Sequence, residues 1–176
     1  VRMCSNIDTG HGITVLTHWL TCYRQELPQS MPVDIILASL AEIMENNIFQ
    51  FGDTFWRQKC GCAMGTSSAV NYACLYVGLL EVTRLLPRYH TQLKFFRRFI
   101  DDGIGVWVDP PHDTHEWRSF FACLNRWGTL KWTCAGHVDS LIFLDLNISI
   151  GRDRRFVFST YQKEMNLYLY IPPSSA

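Results

Sequence analysis

The sequence has no surplus of charge of either sign, since 16 Lys and Arg stand against 16 Asp and Glu and the pI is near 7.1. That balance argues against a free-standing nucleic-acid binder, because phosphate contacts normally draw on a basic excess. No apolar run reaches the ~18 residues of a membrane-spanning helix, and the opening residues carry no basic-then-apolar leader. An intracellular protein with no membrane partner is therefore expected. Cys-x-x-Cys spacing is missing as well. The seven cysteines, at positions 4, 22, 60, 62, 74, 123 and 134, are odd in number and fit neither a zinc site nor a secreted disulfide framework. They read as reduced, mostly buried thiols. Neither an internal repeat nor a low-complexity tract is visible.

What the chain does contain is core material. Its 176 residues are 48% hydrophobic and 14% aromatic, enough to bury a single core of ordinary size, so one domain over 1–176 is expected. Helical spacing of Ile13, Leu16 and Leu20 predicts a helix over 13–27, and that of Ile36, Leu40 and Ile43 a second over 34–45, with Pro28 and Pro32 between them. Residues 48–51 and 54–57 read as a hairpin about Gly52-Asp53. A long apolar helix follows over 69–86. Trp117, Phe120, Phe121 and Leu124 place a core-facing stripe on a helix over 114–127, and three strands, 129–134, 141–150 and 155–161, close an α+β order.

The densest chemistry lies at 97–108, Arg-Arg-Phe-Ile-Asp-Asp-Gly-Ile-Gly-Val-Trp-Val. Aromatic and β-branched flanks suit half-buried strands, and Asp102-Gly103 predicts the reversal between them. Asp101 and Asp102 would repel each other at such a tip unless a cation compensates, and Mg²⁺, which takes hard oxygen ligands and substrate phosphates, suits the pair. The alternative is an ordinary solvated Asp-Gly turn. Upstream, residues 60–68 (Cys-Gly-Cys-Ala-Met-Gly-Thr-Ser-Ser) form a loop of small residues running into the apolar helix, which lets a ligand approach backbone N–H groups closely. Cys60 with Cys62, and His112 with His115, are weaker candidate ligand pairs. Lys94, Arg97 and Arg98 form one basic cluster, and Arg152, Arg154 and Arg155 a second.

These segments carry a resemblance. Ala63-Met64-Gly65-Thr66 followed by Asn71-Tyr72-Ala73 resembles the loop-helix motif of reverse transcriptases, and Arg98-Phe99-Ile100-Asp101-Asp102 is similar to their metal-binding box. Phe143-Leu144-Asp145-Leu146, then Tyr161-Gln162-Lys163 and Asn166-Leu167-Tyr168-Leu169, are similar to the Penelope-like retroelement branch. Met3-Cys4-Ser5-Asn6-Ile7 resembles the tail of the first metal-binding motif, whose aspartate would stand two residues before Val1. With no initiator Met at Val1 and a turn-like end at Pro172-Pro173-Ser174-Ser175-Ala176, a partial domain truncated at both ends is expected.

The resemblance implies a polymerase palm-like antiparallel sheet packed on helices, with fingers and thumb largely missing. It implies an RNA-directed DNA polymerase using Mg²⁺ or Mn²⁺, with RNA template, DNA primer and deoxynucleoside triphosphates as partners. Asp101 and Asp102 would be the catalytic metal ligands. Cys4, Met64, Gly65 and Thr66 would line the nucleotide and template, and Leu144, Asp145 and Leu146 would form the primer grip. Lys131 lies near where some polymerases keep a pyrophosphate-protonating lysine, though an exposed strand lysine is the plainer reading. The isolated piece is expected to be inactive without the missing aspartate. The chain departs from the family at Phe99, where tyrosine is usual, at Ser67 and Val70, where prolines are usual, and at Cys4, where a tyrosine usually excludes the ribose 2′-hydroxyl. A non-catalytic nucleic-acid-binding or structural remnant is the alternative.

Overall fold

Asp8 sets the first long helix in place, because its carboxylate accepts a hydrogen bond from the His11 N–H at 2.8 Å and so satisfies one of the helix's free donors. In the computed structural model, which describes residues 3–162 except 64, 109–113, 135 and 137, that helix is α2 (Thr9–Cys22), preceded by the short α1 (Met3–Asn6). It starts four residues earlier than its apolar spacing suggests and ends before 27, where a 3₁₀ turn (Arg24–Glu26) leads to Pro28. α3 (Val33–Glu45) follows Pro32. Leu40 and Met44, four apart on one stripe, are its buried residues, whereas Ile43 is exposed, so the inward face is rotated from the expected one.

β1 (Ile48–Phe51) and β2 (Thr54–Arg57) pair antiparallel about Gly52, as expected, and every residue in both strands is exposed. The central helix α4 (Ala69–Leu80) buries Ala69, Tyr72, Ala73, Tyr76, Val77, Leu79 and Leu80, which covers more than one stripe and marks a helix packed on several sides. Gly12 of α2 meets it so closely that a Cβ there would lie 1.7 Å from the Tyr72 hydroxyl. The helix does not run uninterrupted. Pro87 has no N–H for the Thr83 carbonyl, and the preceding turn, Glu81–Leu85, adopts π-helical pairing in which the Leu86 N–H reaches the Glu81 carbonyl. α5 (Leu86–Tyr89) then completes a segment, Ala69–Tyr89, that is long and apolar enough by length and composition to cross a membrane, contrary to the sequence expectation. Its buried residues belong to the core described here, as in a core helix of a globular unit.

β3 (Leu93–Phe99) and β4 (Asp102–Trp107) form a second hairpin, and α6 (Thr114–Asn125) follows. Trp107, Tyr89, Trp117 and Phe120 interlock, with Trp107 and Phe120 ring centres 5.2 Å apart, joining α5, β4 and α6. The expected stripe on α6 thus faces the core, with Phe120 and Leu124 buried and Trp117 and Phe121 packed against them. Beyond α6 the expected strand at 129–134 does not form. Asn125 explains the difference: its side-chain oxygen takes the Trp132 N–H at 2.8 Å, so a local side chain satisfies the backbone where a neighbouring strand would have. Lys131 is exposed on this irregular segment and donates to the Asn125 carbonyl at 3.2 Å.

The chain divides into two compact units, Val1–Thr133 and Cys134–Ala176. In the second, the expected single strand over 141–150 is instead a hairpin of β5 (Ser140–Phe143) and β6 (Leu146–Ile150), with Leu144 in the left-handed region at φ 55° making the turn. β7 (Phe156–Thr160) pairs with β6. The fold is therefore α+β, and its described strands form two two-stranded sheets and one three-stranded sheet, all antiparallel. The cysteines are all free, but among them only Cys62 is buried, which corrects the expectation of mostly buried thiols.

Candidate metal centre

The two carboxylates sit at the tip of the β3–β4 hairpin, where the turn falls two residues earlier than the Asp102-Gly103 pair predicts. Phe99 pairs with Asp102 in register, so Ile100 and Asp101 are the two turn residues, while Asp102 and Gly103 already belong to β4. Ile100 takes φ 52°, a conformation that a β-branched side chain adopts only at a cost of about 1–3 kcal/mol. Such strain persists where the surroundings over-determine it.

Arg98 supplies that determination. Its side chain is 8% exposed, and its guanidinium forks onto Glu81, at 2.5 Å from Nε to Oε1 and 3.3 Å from Nη2 to Oε2. Nη1 donates to the Ile100 carbonyl at 2.7 Å and Nη2 to the Cys74 carbonyl at 3.1 Å. Burial alone would lower the Arg98 pKa, but the hydrogen bond and charge of Glu81 outweigh it and the net shift is upward. The sequence grouped Arg98 with Lys94 and Arg97 as one basic cluster, and of the three only Lys94 and Arg97 are exposed, Arg97 lying over the Phe95 ring. Glu81 went unremarked. Its one signal was an acid inside a long apolar helix.

Asp101 is half-buried and lines a small crevice with Met3, Leu130 and Trp132, while Asp102 is exposed. The chain opening reaches the same neighbourhood through Cys4. Its carbonyl accepts from the Cys62 N–H at 2.8 Å, and its thiol points to the Ala69 carbonyl at 3.9 Å. Burial pushes the Cys4 thiol pKa up, electrostatic interaction with Cys62, Asp101 and Cys74 adds to it, and a backbone hydrogen bond opposes. The opening segment, the small-residue loop and α4 thus meet around Cys4, and the hairpin tip reaches the neighbouring Met3 through the crevice that Asp101 lines.

Within the loop, Cys62 is fully buried and its sulfur contacts the Thr66 hydroxyl at 3.4 Å, while Thr66 donates to the Ala63 carbonyl at 3.0 Å. Gly61, at φ 74°, lies against α1 so tightly that a Cβ would fall 2.3 Å from the Ser5 backbone. Gly65, at φ 99°, faces open space, since among the described residues beyond its chain neighbours no atom lies within 4 Å of a built Cβ. Met64 lies outside the described residues. Leu144 and Asp145 form the β5–β6 turn in the second unit and Leu146 opens β6, all three exposed.

Of the weaker ligand pairs, only Cys60 with Cys62 lies wholly among the described residues. Cys60 is exposed, with its sulfur turned to the Ile7 carbonyl, away from the Cys62 partner at Thr66. His112 lies outside the described residues, and His115 is exposed beside Glu116 at 3.4 Å. Among the described residues no group of three or more His, Cys, Asp or Glu could hold a metal ion. Asp101 and Asp102 therefore offer two hard-oxygen donors alone, which fits Mg²⁺ or Mn²⁺ only with the remaining positions filled by water and substrate phosphates. A scan of protein-family models, a search of curated proteins and a search of solved structures each gave no match to this chain.

Proposed function

We propose that the chain is part of the palm of an RNA-directed DNA polymerase from a Penelope-like retroelement. The observation that carries the reading is the nearness to the chain opening of two segments that resemble other reverse transcriptase motifs: the loop after Cys60, whose Cys62 N–H bonds the Cys4 carbonyl, and the Asp101-Asp102 tip, whose Asp101 lines one crevice with Met3. Their order along the sequence matches that family, and their convergence in space is what a shared active site would require.

In this reading Asp101 and Asp102 hold the metal, and the loop around Gly65 leaves room for the nascent base pair. Bound there, Mg²⁺ would lower the pKa of the primer 3′-hydroxyl and neutralise the triphosphate. Cys4 would stand beside the sugar. The second reading is a remnant that binds or scaffolds without catalysis; it differs in needing no carboxylate from another strand, which two-metal transfer draws on.

Primer extension separates the two. A chain extended upstream through the position two residues before Val1, given RNA template, DNA primer, deoxynucleoside triphosphates and Mg²⁺, should extend the primer if an aspartate stands there. Asp101→Asn should cut the rate by orders of magnitude while leaving thermal stability unchanged or higher, since removing one of two crowded carboxylates is favourable without metal. Equal rates in the parent and Asp101→Asn would defeat the metal assignment, and no extension by a parent that carries the aspartate would favour the remnant.

A further inference from the structure

The geometry points to Arg98 and Glu81 as a positioning pair for the candidate metal centre, acting through the backbone carbonyl of Ile100. The inference rests on the reading of Asp101 and Asp102 as metal ligands and assigns work to residues outside that pair. All three guanidinium nitrogens of Arg98 are engaged, toward Glu81, the Cys74 carbonyl and the Ile100 carbonyl. The first two partners sit on the central helix. The third is the turn residue immediately before Asp101. Arg98 is thus a strut from the helix to the tip.

Three features say that the strut sets a conformation and does more than fill space. Ile100 is held at φ 52°, where an unconstrained isoleucine would not stay, and the bond to its carbonyl fixes the orientation of the Ile100–Asp101 peptide. Glu81 opens the π-helical turn, so its carboxylate leaves the helix at a point where regular pairing has already been broken. The planar fork of Arg98 matches a carboxylate on one edge while keeping a nitrogen free for the turn, which a lysine cannot do. A simple packing role would need none of this geometry at Ile100.

The test uses the full 176-residue chain, isotope-labelled, with Mn²⁺ as the probe. Two readouts are followed: the Ile100 Cα and Cβ chemical shifts, which report its backbone conformation, and the Mn²⁺ concentration that half-broadens the amides around Asp101 and Asp102. Arg98→Lys should move Ile100 toward extended values and weaken Mn²⁺ binding by about tenfold or more, the usual effect of removing a group that orients a metal ligand. Glu81→Asp keeps both charges and shortens the reach, so it holds the buried pair together even if Arg98→Lys does not fold, and should give a smaller change of the same sign. Adding Ile100→Gly to Arg98→Lys should restore much of the affinity, because glycine holds positive φ without steric cost. Parent-like Ile100 shifts and parent-like Mn²⁺ binding in Glu81→Asp and in any folded Arg98→Lys would overturn the positioning role. Loss of Mn²⁺ binding in Asp101→Asn alongside that result would leave the metal reading standing, whereas parent-like binding in Asp101→Asn would remove both.

Discussion

Tyr76 shows how much one buried hydroxyl can report. It is fully buried on α4, its OH lies 2.6 Å from His11 Nδ1, and burial together with the Asp8 charge pushes its pKa from 10 up to about 12. The folded state therefore favours the neutral phenol. The unfolded chain ionises near 10, so the contribution is complete below that pH and fades as pH climbs from 10 toward 12. A shift of this size corresponds to something on the order of 2 kcal/mol. Melting temperature should fall across that window, and Tyr76→Phe, which cannot ionise, should lessen the fall; an identical alkaline slope in both proteins would show that other groups control it. The Arg98–Glu81 pair has the opposite lesson. Removing one partner of a buried pair strands a charge, so Glu81→Gln should destabilise by about 3–5 kcal/mol in urea unfolding, far beyond the ~0–1 kcal/mol expected for the exposed Arg155–Asp153 pair.

Among the elements, the small-residue loop separates two reasons for glycine. Gly61 is required by contact as well as conformation, since a Cβ would enter the Ser5 backbone, while Gly65 is required only by its φ. Gly65→Ala should cost about 1–2 kcal/mol from the left-handed backbone alone. Gly61→Ala should cost clearly more, or yield no folded protein, because backbone cannot yield as a side chain can. Urea midpoints for the two variants give the comparison, and equal losses would mean that the loop does not pack on α1 as described. The same two positions also divide by purpose: Gly61 seats the loop on the chain opening, and Gly65 keeps the space beyond it clear.

For the whole molecule, the division of burial is uneven. Every buried apolar residue among the described ones lies in Val1–Thr133, and none of the described residues of Cys134–Ala176 is buried. A chain segment that small, with no buried core among its described residues, is not expected to fold alone. Separate expression of the two pieces should give a cooperative melt and near-ultraviolet aromatic signal for Val1–Thr133, and neither for Cys134–Ala176. A folded second piece would show that strand pairing in β5–β7 suffices without a core.

Local rules carried a good deal of this protein. Turn chemistry at Gly52 and β-rich flanks set β1 and β2 to the residue, and the apolar spacing of Trp117, Phe120 and Leu124 marked the inward face of α6. Both depend on neighbours a few residues apart, so the sequence determined them. The Asp101-Asp102 tip was equally legible as a hairpin, but the turn fell on Ile100 and Asp101 because Arg98 reaches from β3 to hold the Ile100 carbonyl while anchored on a helix seventeen residues upstream in the chain at Glu81. The strand expected at 129–134 was lost to a side chain, Asn125, that bonds the backbone first. Cys4, Cys62, Ala69 and Asp101 have no local relation at all. Their meeting depends on how the chain opening bonds the loop and α4 and on how Arg98 ties the β3–β4 hairpin to α4, and a pattern of spacings carries no information about contacts between residues so far apart. That is why the candidate residues could be named from the sequence, while their assembly, and the buried pair that holds the tip, were decided only by the tertiary structure.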